Sequence, residues 1–471
     1  MEEDSVVKKA HLSKNERVPR LYKQAARILK QIDEKKGSAR GLVFTMKHCN
    51  KKKLYAVVSQ TLKYKHILNK VFEHAQLFEK ETRLDQFLAL VLAYQHLIAG
   101  RKLSSQSKPV QMIIEYCPLL QKGFKKILRK ANVKNVEDLV NNDLEKEGRV
   151  SLPRYVRINT INTSINNVIQ QLESDGFVEV KLDHPVSLER YKSTILNLEK
   201  QQFLQDQDFP DVLILPHGTD LQNSSLYDNA NIFLQDKSSS LAVRALNPPP
   251  GSFVLDACAA PGMKTVHLAA LMENKGKILA VDMSSERLGT VKEMVHLAGV
   301  TSCETHCADF SSLDPAVEPF SSVEYILLDP SCSGSGIVNR LDYGSSETSA
   351  PSRIRKLAWF QKQLLSHSFT FPNVKRIVYS TCSINQEENE EVIKTVLETT
   401  KDFALEEIIP QWPTRGLPEF DFGSLCVRSY PEENLTNGFF VAAFQRIQPC
   451  IEELSEKCKK KKSKKEKKKS T

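Results

Sequence analysis

Apolar and polar positions follow two rhythms along the chain. From Arg17 to about Asn142, apolar residues recur every three or four positions, the period of a helix. Arg20-Leu21-Tyr22 through Ile32 predicts one helix. Leu84, Phe87, Leu88, Val91 and Tyr94 predict another, apolar on most faces and therefore central to a bundle. Lys122 and the run GFKKILRKAN ending at Asn132 form a basic amphipathic stretch. At Arg154–Ile161, RYVRINTI, the rhythm changes to the period of a strand, and INNVIQQLESDGF after it is helical. Pro248-Pro249-Pro250-Gly251 then gives a stiff entry into a region, Ser252 to Phe444, where strand and helix patterns alternate. The strands expected there are Phe253–Ala257, Lys277–Asp282, Glu304–Ala308, Tyr325–Asp329, Arg376–Ser380, Phe403–Ile408 and Phe439–Phe444. With helices of about 10–20 residues between them, this pattern predicts an α/β fold with a doubly wound, mostly parallel sheet.

The 471 residues suffice for two or three domains. The expected divisions are 1–16, disordered; 17–150, basic and helical; 151–246, a small α/β region; 247–450, the doubly wound domain; and 451–471, a Lys-rich tail too charged to fold. Asn339–Arg353, NRLDYGSSETSAPSR, reads as a Ser- and Gly-rich loop. The net charge of +9 hides its distribution: residues 1–150 hold 31 Lys and Arg against 16 Asp and Glu, and Lys457–Thr471 holds 10 against 1. The stretch between is net acidic. A basic front and tail on an acidic middle suit a polyanionic partner such as nucleic acid, with solubility as the bland alternative. The start, MEEDSVVKK, has no apolar core of a secretory signal, and no run reaches the roughly 20 apolar residues that span a bilayer. The ten cysteines include no CxxC pair. Cys303-Glu-Thr-His-Cys307 lacks the further ligands zinc needs, so no metal site is expected and reduced thiols are.

The chemistry-bearing stretch is Gly251–Thr265, GSFVLDACAAPGMKT. A short apolar strand ends at Asp256, and a loop of small residues with Pro261-Gly262 leads into a helix, KTVHLAALM. Such a loop lets backbone N–H groups approach a ligand at a helix N-terminus. The run lacks the glycines of a phosphate-binding GxxxxGK[ST] loop and of a dinucleotide-binding GxGxxG. Asp282 stands at the next strand end, 20 residues after Gly262, where an acidic side chain can accept hydrogen bonds from ribose hydroxyls. Asp309 and Asp329 end the third and fourth strands. LLDPSCSGSG (Leu327–Gly336) and VYSTCS (Val378–Ser383) each place a cysteine, Cys332 or Cys382, just past a strand. Gly334 and Gly336 permit close approach of backbone to a ligand. A free cysteine is commonly a small buried hydrophobe. Two at neighbouring strand ends, facing the same loop, are better read as nucleophiles, and either could serve.

DACAAPGMKT, VDMSSER, ADF, DPSCSG and YSTCS, in this order from about Leu152 to Phe444, resemble the motif set of the Sun-domain RNA cytosine-5 methyltransferases, most closely the branch acting on large-subunit ribosomal RNA. The resemblance implies a class I methyltransferase with a seven-stranded Rossmann-like sheet and S-adenosylmethionine as cofactor. It implies that Cys258, Ala259, Ala260, Pro261, Gly262, Met263, Lys264, Asp282, Arg287, Asp309 and Asp329 hold that cofactor. It further implies that Cys382 attacks carbon 6 of cytosine and Cys332 assists proton removal and release. Asp329 would meet the polar edge of the base, and Lys264 its carbonyl oxygen. The Arg-x-x-Arg-x-Asn pattern of Arg154, Arg157 and Asn159 implies RNA contact, arginine being suited to phosphates. LQDKSSS (Leu234–Ser240) is similar to the segment that leads into the first catalytic strand. The expected partners are ribosomal RNA or pre-ribosomal particles, with no membrane and no metal, for a monomer in the nucleus or nucleolus. The alternatives are the same chemistry on transfer RNA, a DNA cytosine methyltransferase, and a ribosome-assembly factor with a vestigial site.

Overall fold

The computed structural model describes residues 17–447 except 35, 37–38, 40–41, 44–45, 47, 134, 137–138, 140–150, 183–185, 222–223 and 339–350. The 1–16 segment, most of the 339–353 loop and the Lys-rich tail therefore lie outside the described residues. The chain forms two compact units, 1–151 with 339–347, and 152–338 with 348–471.

The first unit is helical. In α1 (Arg20–Asp33), Ala25, Ala26, Ile28, Leu29 and Ile32 are buried, one stripe at helical spacing. The long α2 (Lys51–Ala75) is capped by Asn50, whose side chain accepts from Lys53 N–H at 2.9 Å. Asp85 caps α3 (Gln86–Ala93) through Leu88 N–H at 2.8 Å. Phe87 and Ala89 through Ala93 are buried in α3, which makes it central to the core as its all-round apolar sequence predicts. The basic stretch forms the end of α4 (Lys108–Lys130), with Lys122, Lys125, Lys126, Arg129 and Lys130 exposed. Gly123 lies on its inner face, where a Cβ would stand 3.3 Å from the His74 ring of α2.

The second unit carries two sheets. The smaller has the order β2-β3-β4-β1-β5, built from β1 (Arg154–Ile158), β2 (Val178–Glu179), β3 (Gln202–Gln205), β4 (Val212–Leu215) and β5 (Ile232–Leu234). Helices α5 (Ile165–Ser174) and α6 (Leu188–Leu196) belong to this region, and α7 (Lys237–Leu246) leads out of it. Asn159, just past β1, donates through Nδ2 to the carbonyls of Ala230 (2.9 Å) and Ala298 (3.0 Å), joining the small sheet to the larger domain. Lys237 at the start of α7 is buried between Asp206 (2.7 Å) and Asp208 (2.6 Å).

The larger sheet has eight strands. Along β11-β13-β10-β9-β6-β7-β8 run β6 (Phe253–Asp256), β7 (Lys277–Asp282), β8 (Cys303–Cys307), β9 (Tyr325–Leu328), β10 (Arg376–Thr381), β11 (Phe403–Glu406) and β13 (Phe439–Arg446). Pairings from β8 through β10 are parallel, and β13 inserts antiparallel between β10 and β11. The sheet exceeds the seven strands expected by one, β12 (Val427–Ser429), which pairs with β13. At three residues it is too short for a periodic signal. Helices α8 (Met263–Leu271), α9 (Ser285–Leu297), α10 (Pro351–Ser368) and α11 (Glu390–Leu397) surround the sheet. No α-helix follows β8; two 3-10 turns, Phe310–Ser312 and Phe320–Ser322, make that connection instead. Pro351–Arg353, read from sequence as loop, begin α10. Leu255, Leu279, Ile326, Ile377, Tyr379 and Phe440 pack with Leu364, Leu365 and Val392 on one face of the sheet, while Val254, Ile278 and Ala280 are buried on the other. Burial on both faces explains why these strands read as continuous apolar runs.

Within this sheet Arg428 of β12 forms a two-point pair with Glu390, Nε to Oε1 at 2.7 Å and Nη2 to Oε2 at 2.5 Å, with both residues almost wholly buried. Replacing Arg428 by Met leaves the Glu390 carboxylate uncompensated. The expected loss is about 3–5 kcal/mol of unfolding free energy, measured by denaturant titration; a change below about 1 kcal/mol would show that Glu390 does not depend on the pair.

Candidate active site

Because β6 through β10 run parallel, their carboxyl ends share one edge of the sheet, the edge at which open α/β sheets bind ligands. β6 and β9 are neighbours there although three strands apart in sequence order, so the chain reverses its direction of winding between them. The loop after β6 is drawn tight: Ala259 N–H donates to Val281 of β7 at 2.9 Å, and Gly262 N–H to Ala259 O at 2.7 Å. Gly262 has φ +102°, and a Cβ there would stand 3.3 Å from Val291 Cα, so only glycine lets α8 start against α9.

Asp282 closes β7, nearly buried. It accepts from Ser284 N–H at 3.0 Å and Ala260 N–H at 3.4 Å, and pairs with Arg287 at 3.3 Å. Arg287 also donates to Ala260 O at 3.1 Å, so it fixes the carboxylate and the loop together. Asp309, past β8, is exposed and accepts from Ser311 N–H at 2.9 Å, holding the turn that follows. Asp329, past β9, accepts from Lys264 Nζ at 2.6 Å and Ser380 Oγ at 2.7 Å. Burial works against the Lys264 charge, but the charge and hydrogen bond of Asp329 outweigh it and raise the ammonium pKa. An anionic sulfur at Cys382 adds to that raise, so the Lys264 cation and a Cys382 thiolate favour each other.

The two cysteine loops meet. Cys332 Sγ lies 3.1 Å from Cys382 Sγ. The hydrogen bond to Cys382, then burial, then the charges of Asp329 and Glu388 raise the Cys332 pKa well above that of a free thiol, so Cys332 holds its proton. The sequence missed the residues that set this arrangement. Ser380, Ser333, Ser383 and Glu388 are all buried beside the cysteines, and their signal was only that the serines stand inside the two Cys motifs and Glu388 follows the second. Gly336 serves the backbone rather than a ligand: a Cβ would fall 2.2 Å from Gly438 O, and its N–H donates to Cys382 O at 3.0 Å.

Expectation and structure part at the Arg-x-x-Arg-x-Asn pattern. Arg157 and Asn159 are fully buried. Arg157 Nε donates to Gln235 Oε1 at 2.6 Å, its guanidinium lies 5.1 Å from the Phe233 ring centre, and burial lowers its pKa to about 10. Neither side chain is available to a phosphate; both hold the small sheet in place. Arg154 is partly exposed. A concavity of about 680 Å³ lined by Asn166, Gln170, Tyr191 and Asp206 contains none of the site residues.

Three carboxylates at successive strand ends, beside a loop of small residues, suit a ligand that presents hydroxyls, an amino group and a cationic end. Asp282, Asp309 and Asp329 could supply the acceptors, and the loop after β6 lies between the ends of β7 and β9. Among the described residues no group of His, Cys, Asp and Glu is placed to hold a metal, and no helix is long and apolar enough to cross a membrane.

Three family models match the chain: 16S rRNA methyltransferase RsmB/F over 243–445, and the N-terminal and ferredoxin-like domains of NOL1/NOP2/Sun domain family member 5 over 52–140 and 152–235. The 28S rRNA (cytosine-C(5))-methyltransferase of Mus musculus is 38% identical over 430 residues, 91% of this chain and 91% of that protein. The 25S rRNA (cytosine-C(5))-methyltransferase NSUN5 of Arabidopsis thaliana is 36% identical over 440 residues, 90% of this chain and 72% of that protein. A solved methyltransferase homologue from Pyrococcus horikoshii aligns at TM-score 0.50 and 27% identity, covering 63% of this chain and 87% of that one.

Asp256 at the end of β6 provides a pH test of the site. Burial raises its pKa to about 7, against the lowering effect of the Thr265 hydroxyl 2.6 Å away and of Lys264. In the unfolded chain this carboxyl ionises near its ordinary value of 3.8. The folded state therefore binds the proton more tightly, and stability drains away as pH rises from about 4 to about 7. Asp256→Asn removes that term. The variant should gain on the parent by on the order of 1.4 kcal/mol per pH unit across this window, read from denaturation at several pH values; a pH-independent difference would mean that Asp256 titrates normally.

Proposed function

Because the chain belongs to the Sun-domain RNA (cytosine-5) methyltransferase family, S-adenosylmethionine-dependent enzymes, we propose that it forms 5-methylcytosine in large-subunit ribosomal RNA, with Cys382 attacking the base and Cys332 assisting release. The observation that carries the mechanism is the 3.1 Å approach of the two sulfurs beside the Lys264–Asp329 pair. The named activities of the relatives from Mus musculus and Arabidopsis thaliana support the choice of RNA.

Carbon 5 of cytosine is too weak a nucleophile to take a methyl group unaided. The Cys382 thiolate adds to carbon 6, which makes carbon 5 electron-rich. S-adenosylmethionine, when bound, supplies the electrophilic methyl. Carbon 5 then loses its proton, and the electrons of that bond restore the ring double bond as Cys382 departs. Lys264 favours the thiolate before attack, while Cys332, placed against the Cys382 sulfur, gives its proton to the departing Cys382 and, as the thiolate so formed, takes the carbon 5 proton. Asp282 and Asp309 would accept hydrogen bonds from the cofactor's ribose and adenine, and the 258–264 loop would help to hold it. Asp329 serves the cofactor and the polar edge of the base, which must leave any stack to reach it. The basic face of α4, with Lys122, Lys125, Lys126 and Arg129 exposed, supplies RNA affinity, and the Lys-rich tail directs the chain to the nucleus and nucleolus. The protein acts as a monomer.

Asp282→Ala should weaken S-adenosylmethionine binding by about 1–3 kcal/mol in calorimetry while the fold persists; unchanged affinity would remove Asp282 from the site. The cysteine roles are separated on a denaturing gel with labelled RNA. Cys332→Ala should accumulate an RNase-sensitive covalent protein–RNA band, Cys382→Ala should show neither band nor methylation, and the double variant should show no band. A band with Cys382→Ala instead would reverse the roles, and full activity in both single variants would sink the covalent mechanism. Bisulfite mapping of ribosomal RNA with and without the protein identifies the target cytosine.

A further inference from the structure

Past Cys382 the chain makes a short turn, and Glu388 returns buried beneath both cysteine loops. Its carboxylate has no Lys or Arg partner within 4.0 Å among the described residues, yet five donors converge on it. Oε1 accepts from Ser333 N–H at 2.8 Å and Gln361 Nε2 at 3.2 Å. Oε2 accepts from Ser333 Oγ at 2.5 Å, Ser383 Oγ at 2.6 Å and Asn385 Nδ2 at 3.1 Å. A buried carboxylate is costly unless its lone pairs are filled, and here they are filled by hydrogen bonds alone. Ser333 immediately follows Cys332, and Ser383 immediately follows Cys382. One side chain therefore grips the residue next to each reacting thiol, from two loops 50 residues apart in sequence.

The surroundings make this grip rigid. The Ser333 and Ser383 hydroxyls also lie 3.2 Å from each other. Gln361 of α10 donates to Ser331 O at 3.0 Å, so Cys332 is held from its preceding residue as well. Tyr379 Oη donates to Glu388 O at 2.6 Å, and Asn389 Nδ2 donates to Ser383 O at 2.9 Å, which fixes the Glu388 backbone relative to β10 and the Cys382 loop. The sulfurs themselves share only a weak thiol contact, which cannot hold two loops in register.

We infer that Glu388 is a positioning residue of the reaction: by tying Ser333 to Ser383 it sets the placement of Cys332 against Cys382, and with it the rate at which the covalent RNA intermediate is released. The inference rests on the reading of Cys382 as attacking and Cys332 as releasing thiol. Attack needs only Cys382, the cofactor and the base, whereas release also needs Cys332 at the right distance. Loss of the grip therefore bears on the second half of the cycle.

The test compares Glu388→Gln, close in shape, with the parent on labelled RNA containing the target cytosine. Multiple-turnover kcat should fall at least about tenfold, while single-turnover methyl transfer and the KM for S-adenosylmethionine change by less than about threefold. The RNase-sensitive covalent band should build up although both cysteines are present. A merely structural role would lower all rates together with the thermal midpoint and produce no band. If Glu388→Gln does not fold, Ser333→Ala combined with Ser383→Ala removes the gripped hydroxyls instead and should give the same split between single and multiple turnover. Equal loss of both rates without a band, in whichever variant folds, overturns the inference. If Cys332→Ala traps RNA and the folded variants here do not, the cysteine reading stands and the role of Glu388 fails. If Cys332→Ala traps nothing, the cysteine reading fails and the inference falls with it.

Discussion

The constraint on which the rest of the molecule depends is the parallel register of β6, β9 and β10. Val254 pairs with Tyr325, and Tyr325 with Arg376, so three strands from distant parts of the chain start level and end level. Parallel strands are buried on both faces and admit little besides apolar side chains. Polar chemistry can therefore begin only where each strand stops. Asp256, Asp329 and Thr381 mark those stops, and Cys332 and Cys382 each lie within a few positions of one of them.

Concentrating polar groups at a sheet edge requires that each be compensated, and the protein does so in two ways. Arg428 with Glu390, and Lys237 with Asp206 and Asp208, are charge pairs removed from water, and they fasten loops to the sheet. Closer to the cysteines, Lys264 supplies a positive charge through its pair with Asp329. Asp256 relies on a hydroxyl and on a raised pKa, and Glu388 on five neutral donors. The distinction has a physical basis. A full positive charge beneath the sulfurs would stabilise both thiolates alike, whereas neutral donors leave Lys264 to favour Cys382.

Much of this was legible in the sequence. The strands at Lys277–Asp282 and Tyr325–Leu328 read directly, because a doubly buried strand is a run of apolar residues closed by an acidic one. The meeting of the two cysteines followed from both standing past strands of one sheet. What escaped notice was set by tertiary partners. Arg157 is buried against Gln235, 78 residues away, and the Phe233 ring, partners that its own strand does not announce. Glu388 lies in the run NQEENEE, whose composition alone is that of a solvated acidic turn; its donors include Ser333 and Gln361, 55 and 27 residues away. β12 depends on pairing with β13 and carries no periodicity of its own.

The 3.1 Å separation of the Cys332 and Cys382 sulfurs bears on durability as well as on chemistry. A disulfide is about 2.05 Å long, so these atoms need to travel only about an ångström to bond once two electrons and two protons have been taken away. Neither sulfur would then be free to attack or to release. If the two thiols act as proposed, the catalyst is only as lasting as the reductant around it.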